Sequence, residues 1–86
     1  MYKVILSQRA QKQKSLLKQA GLDGKAKLLL NILQEDPYRS LPSCEKLRGD
    51  LAGLYSRRIN RQHRLVYEVD EAKKQVFVLS MWTHYE

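Results

Sequence analysis

The sequence predicts a two-layer α+β domain of order β-α-α-β-β-β, with a mainly antiparallel, twisted sheet and both helices on one face. Three observations predict it. Ala26, Leu29, Leu30 and Leu33 fall at i, i+3, i+4 and i+7, the spacing of a buried helical face. Residues 54–69 read as a β-hairpin in which apolar residues alternate with arginines. The run Gln75 to Trp82 has the apolar composition of a further strand. At 86 residues there is room for a single domain, residues 1–86.

The elements follow in order. Tyr2 to Leu6 has strand composition, and Ser7 is placed to cap the helix that follows. That helix, Gln8 to Ala20, is polar and basic, with apolar contacts at Ala10, Leu16, Leu17 and Ala20, and Gly21 stops it. Asp23 is the expected cap of a second helix, Gly24 to about Glu35, which Pro37 ends. Tyr38 to Asp50 is a connection held against the domain by Leu41 and Leu47. Asp70 to Lys74 is a polar turn. On the last strand Phe77, Leu79 and Met81 are the expected core side, with Val76, Val78, Ser80, Trp82 and His84 on the other.

With Asn60, Arg61 and Gln62 as a three-residue loop, Ile59 pairs with His63 and Arg58 stands opposite Arg64. Like charges directly opposite on one face destabilise a sheet, and a polyanion supplies a reason for placing them there. The other face carries Tyr55, Ile59, Leu65, Tyr67 and Val69, and Arg57, which shares it, is expected to reach outward at its edge. A one-residue slip would turn one arginine inward.

The formal net charge of +7 favours an acidic partner, either nucleic acid or a protein with an acidic segment. Cys44 is the only cysteine, so no internal disulfide forms, which fits a reducing cytosol. Tyr2 to Leu6 is too short for a signal peptide, and no run approaches the roughly 18 apolar residues of a membrane span. The expectation is a soluble, cytoplasmic chain without a membrane partner. Scattered acids and two histidines off ligand spacing predict no metal site, and no Gly-rich loop points to a nucleotide cofactor.

Glu45, Arg48, Arg58, Arg64, His84 and Tyr85 are the residues that could carry chemistry. RNA brings its own nucleophile, the 2′-hydroxyl. Cleavage then needs a base for that proton, an acid for the leaving 5′-oxygen and cations for the phosphorane charge. A glutamate and a histidine can serve as base and acid, and the planar guanidinium binds phosphate bidentately. Taken singly these residues have plainer readings: a solvated loop glutamate, a histidine on a fraying end, a solvated basic face. His63 reads as a turn flank, and Cys44 as an incidental thiol.

The pattern as a whole is more specific. Glu45-Lys46-Leu47-Arg48, Leu51-Ala52-Gly53-Leu54-Tyr55-Ser56-Arg57-Arg58-Ile59, His63-Arg64-Leu65-Val66-Tyr67 and the closing His84-Tyr85 resemble the Txe/YoeB branch of the RelE superfamily of toxins. The first half of the chain resembles that family in layout only. The resemblance implies a RelE-like fold and a ribosome-dependent mRNA endonuclease of a type II toxin–antitoxin pair. It implies partners too: an acidic antitoxin of YefM/Phd type, the ribosome and mRNA, with operator DNA reached only through the antitoxin. Carried over by position, Glu45 resembles the general base, His84 the general acid and Arg64 the arginine of the transition state. Arg58 resembles a further phosphate-binding arginine, Arg48 falls where the family has a basic residue, and Tyr85 matches a tyrosine that places the mRNA base. Trp82 stands where the family is often basic. The competing reading is a catalytically weak homologue that binds its antitoxin and co-represses their operon; a basic RNA-binding domain without chemistry is a third.

Overall fold

A computed structural model of the chain describes residues 1–40 and 43–82. The elements run β1 (Lys3–Leu6), α1 (Gln8–Gln19), α2 (Asp23–Glu35), β2 (Glu45–Lys46), a 3-10 turn (Gly49–Leu51), β3 (Tyr55–Arg58), β4 (Arg64–Asp70) and β5 (Gln75–Ser80). The five strands form one mixed sheet in the order β1-β5-β4-β3-β2. β1 runs parallel to β5 and the other pairs are antiparallel. The two-layer α+β class expected from the sequence is therefore observed, with one addition. The connection after α2 contains β2, a two-residue strand that pairs Glu45 with Ser56 and Lys46 with Tyr55. Nothing in a Glu-Lys pair marks a strand; β2 exists because β3 offers it an edge.

Local chemistry sets the helix boundaries. Ser7 caps α1, its Oγ accepting from the Ala10 N–H and donating to the Leu79 carbonyl, which also ties the helix start to β5. Gly21, at φ +74°, ends α1 in the left-handed conformation. The Leu22 N–H then reaches the Leu17 carbonyl and the Gly21 N–H the Lys18 carbonyl, a Schellman closure. Asp23 does not cap α2 as the sequence suggested. It is the first helical residue, Leu22 holds the cap position, and no side chain bonds there. Its carboxylate still favours the helix N-terminus electrostatically.

Both helices cover one face of the sheet. Ala10, Leu17, Ala26, Leu29, Ile32 and Leu33 form one buried cluster with Ile59, Leu65, Tyr67, Val76, Val78 and Met81. No helix among the described residues is long and apolar enough to cross a membrane. The core side of β5 differs from the sequence expectation. Val76 and Val78 are fully buried, whereas Phe77 is 37% exposed. Val76 and Val78 pair with Val69 and Tyr67, and Phe77 stands opposite Glu68. Since β5 is apolar on both sides, alternation alone could not choose between them; pairing with β4 did. The register shifts at Val66/Tyr67, and Met81, just past the strand end, returns to the core.

Arg57 departs most from expectation. It is fully buried and does not reach outward. Its Nε donates to the Tyr67 hydroxyl at 3.2 Å, and its Nη2 donates to the carbonyls of Pro37, at 3.1 Å, and Arg39. The Tyr67 hydroxyl donates to the same Pro37 carbonyl at 2.6 Å, and burial pushes that phenol well above its usual pKa. The buried guanidinium thus holds the turn after α2 onto β3.

A second polar knot lies at the sheet end. Tyr2 and Tyr38 both donate their hydroxyls to Glu71, and Lys74 pairs with it. The knot joins β1, the residue 37–40 turn and the β4–β5 hairpin. The Lys74 ammonium first, then the Tyr38 and Tyr2 hydroxyls, hold the Glu71 carboxyl down at about 2. A depressed carboxyl stabilises the fold above its unfolded pKa of roughly 4.3, and that contribution disappears as pH falls through about 2. Acid titration of the unfolding midpoint should therefore show Glu71→Gln less stable than the parent at neutral pH and the gap closing between pH 4.5 and 2. A gap that stays constant over that window would refute the linkage.

Candidate active site

The hairpin forms in the register read from the sequence. Arg58 pairs with Arg64, Arg57 with Leu65, Ser56 with Val66 and Tyr55 with Tyr67. The Ile59 N–H donates to the His63 carbonyl at 2.9 Å and closes the loop. Inside it the Asn60 side chain accepts from the Gln62 and His63 N–H groups at 2.9 and 2.7 Å, a local turn that needs no partner outside. Strand alternation then puts Tyr55, Arg57, Leu65 and Tyr67 on the helix side and Ser56, Arg58, Arg64 and Val66 on the open side.

β2 brings a carboxylate to that open side. Glu45 pairs with Ser56 across β2 and β3, and its Oε1 accepts from Arg64 Nη1 at 3.2 Å. The same nitrogen donates to Ser56 Oγ at 3.3 Å. Ser56 is fully buried, so the guanidinium is pinned from beneath by a hydroxyl and at its side by the carboxylate. The arginine side chain is 21% exposed and Glu45 is 50% exposed, which leaves the pair partly desolvated and open to a ligand. Arg58 stands exposed beside Arg64, and its N–H donates to Ser43 Oγ at the outer edge of β3.

Three of the six residues singled out from sequence therefore come together: Glu45, Arg58 and Arg64. Arg48 is exposed at the N-terminal cap of the 3-10 turn, beyond β2, and does not enter the Glu45–Arg64 pair. His84 and Tyr85 lie outside the described residues. The reading from sequence missed Ser56. Its place on the arginine side of β3 was legible from alternation, but nothing marked a serine as an arginine's anchor. It also treated His63 as a turn flank; the ring is buried and stacks on Trp82, with centroids 3.9 Å apart. Cys44, half-buried, has its sulfur 3.5 Å from the Tyr67 hydroxyl.

A five-stranded mixed sheet with two helices behind it, carrying paired arginines and a carboxylate on its open face, makes this a small basic α+β domain. Residues 8–85 match the family model of the YoeB-like toxin of bacterial type II toxin–antitoxin system. A curated relative, Toxin YoeB of Synechocystis sp., is 36% identical over 76 residues, covering 88% of this chain and 79% of that protein. The YoeB/ParE toxin from Agrobacterium tumefaciens superposes with a TM-score of 0.86 at 28% identity, covering 96% of this chain and 99% of the other. A chain of the YoeB–YefM complex from Staphylococcus aureus superposes with a TM-score of 0.80 at 31% identity, covering 99% of both. The chain belongs to the YoeB-like toxins of bacterial type II toxin–antitoxin systems.

Proposed function

We propose that this toxin is an mRNA endonuclease that acts in the cytoplasm on translating ribosomes and cleaves by attack of the RNA's own 2′-hydroxyl. The observation that carries this reading is the open-face cluster, in which Arg64 is held by Glu45 and Ser56 with Arg58 directly across the hairpin. A scissile phosphate docked on the two guanidiniums draws Arg64 toward its oxygens and leaves the Glu45 carboxylate beside the attacking hydroxyl. Glu45 takes the 2′-proton as the oxygen bonds to phosphorus. The arginines stabilise the charge that builds on the non-bridging oxygens. His84, in the role its position in the family implies, gives a proton to the departing 5′-oxygen. The P–O5′ bond breaks, and the products carry a 2′,3′-cyclic phosphate and a 5′-hydroxyl. Arg48 adds positive charge at the rim and Tyr85 stacks on a base. Neither a metal nor another cofactor enters this route.

The partner follows from the same face. The similar S. aureus chain comes from a complex with YefM. For this chain we infer an acidic antitoxin of that kind, whose carboxylates cover Arg58 and Arg64 and whose segment orders on binding. Operator DNA is then reached through the antitoxin.

Mapping 5′ ends of an mRNA in a translating extract, with and without the purified chain, tests the function. Cleavage inside the translated frame leaving 5′-hydroxyl ends is the expected result, with the same mRNA intact when ribosomes are omitted. An intact message on translating ribosomes refutes the enzyme and favours a toxin homologue that only binds its antitoxin.

A further inference from the structure

The open face of the sheet changes sign along β4. Alternation puts Arg64, Val66, Glu68 and Asp70 on that face, and Glu68 lies four residues from Arg64, roughly 13 Å along the strand. Glu68 stands opposite Phe77 on β5, and Phe77 is beside Ile5 on β1. Ile5, Phe77, Gln75, Glu68 and Asp70 line a hollow of about 300 Å³. Phe77 is 37% exposed there, and both carboxylates are exposed. Lys3, exposed on β1 beside Gln75, shares this end of the face and offsets part of the negative charge. The face therefore runs from two guanidiniums, past the buried Val66, to an exposed aromatic ring flanked by two carboxylates. A large apolar ring left open on a sheet face, rimmed by charge, is the usual mark of a surface that another molecule covers.

We propose that the hollow at Ile5, Phe77, Glu68 and Asp70 is a second anchor for the antitoxin, one that takes an apolar side chain and, next to it, a lysine or arginine. The proposal rests on the reading that an antitoxin segment covers Arg58 and Arg64, and it continues that interface along the same face. A polynucleotide fits the arginine end alone, because its phosphates would meet the carboxylates of Glu68 and Asp70 at the other. A peptide can match both ends. It needs carboxylates over the arginines and then, about four residues on in extended conformation, an apolar residue over Phe77 with a cation beside it. The apolar contact excludes water and slows dissociation, and the charges of opposite sign at the two ends fix the direction in which the segment lies. Message and antitoxin thus share the arginines, and the antitoxin alone uses the hollow, so substitutions there separate neutralisation from cleavage.

The test measures binding of the full toxin to the purified antitoxin encoded beside its gene, and separately mRNA cleavage on ribosomes without antitoxin, for Phe77→Ala, Glu68→Lys and Arg64→Ala. Phe77→Ala should weaken antitoxin binding roughly ten- to thirtyfold, mostly through faster dissociation. Glu68→Lys should weaken it roughly tenfold at low salt, mostly through slower association. Both should cleave mRNA as the parent does. Changing one lysine or arginine of the antitoxin to glutamate should restore binding to Glu68→Lys. Should Phe77→Ala fail to fold, Glu68→Lys and its rescue carry the comparison, since Glu68 is exposed. Parental antitoxin affinity in folded Phe77→Ala and Glu68→Lys overturns the anchor. Parental affinity joined to a loss of cleavage overturns it in favour of an RNA subsite, and parental affinity joined to a changed oligomeric state of the toxin overturns it in favour of a contact between copies. The functional reading fails in other arms: Arg64→Ala with undiminished antitoxin affinity removes the arginine cover, and a parent that cleaves nothing removes the enzyme, while the Phe77 and Glu68 affinities still decide the anchor.

Discussion

Replacing Arg57 by alanine should destabilise the domain by about 3–5 kcal/mol, the largest loss of any single side chain here. Among the described residues, the Tyr67 hydroxyl and the carbonyls of Pro37 and Arg39 depend on this guanidinium. Pro37 keeps the Tyr67 hydroxyl as a donor, but the Arg39 carbonyl loses a charged one. Leaving a buried polar group unpaired costs roughly 1–3 kcal/mol, and the vacated volume adds a cavity cost because Arg57 is fully buried. A domain of this size has only about 5–10 kcal/mol in total, so much of the variant should be unfolded at 37 °C. Arg57→Lys should recover little. An ammonium is a point charge and cannot span a phenol and two carbonyls as the planar fork does. Equilibrium urea unfolding measures this, and a loss below about 1 kcal/mol for Arg57→Ala would mean the knot is replaceable by water. The knot also bears on the site. It fastens the turn from which the chain returns as β2, the strand that delivers Glu45.

Arg57 also shows where sequence reading stops. Alternation correctly placed it on the core side of the hairpin with Tyr55, Leu65 and Tyr67. The expectation that it would escape outward rested on the general cost of burying a charge. That cost is met here by carbonyls from a turn some twenty positions away, which no local pattern reveals. The hairpin register was legible because a mis-set register would have buried Arg58 or Arg64. The core side of β5 was not legible, because Val76, Phe77, Val78 and Leu79 are all apolar and only pairing with β4 selects between them. β2 was invisible for a related reason: its two residues acquire strand character from their neighbour. Of the site, Arg58 and Arg64 could be paired from spacing alone. Glu45 was one candidate among the residues that could carry chemistry, its role as base came through the family resemblance, and only the long-range return of the chain places it against Arg64.

Removing Arg64 should lower mRNA cleavage by roughly 10²–10³-fold, the usual effect of deleting a preorganised group that meets transition-state charge. His84→Ala should cost about 10²–10⁴-fold as the loss of a positioned acid, and Glu45→Ala should fall at the lower end if the ribosome shares in placing the 2′-hydroxyl. Stability predicts the opposite ordering from that of Arg57. The Glu45–Arg64 pair is partly exposed, and such pairs contribute about 0–1 kcal/mol. Arg64→Ala and Glu45→Ala should therefore unfold within about 1 kcal/mol of the parent while losing most of their activity. Arg64→Lys separates charge from shape: it keeps the cation but not the fork that can hold Ser56 Oγ, Glu45 and a phosphate oxygen together. It should remain closer to Arg64→Ala than to the parent. Arg58 stands across the hairpin from Arg64. Arg58→Ala alone relieves the like-charge repulsion between them, a gain that is absent once Arg64 is gone, so in urea unfolding Arg58→Ala added to Arg64→Ala should cost more stability than Arg58→Ala alone. Growth arrest on induction, matched for expression and read beside mRNA end mapping, measures the losses of activity. Full toxicity in Arg64→Ala, Glu45→Ala and His84→Ala together would leave the arginine face as an antitoxin-binding surface without chemistry.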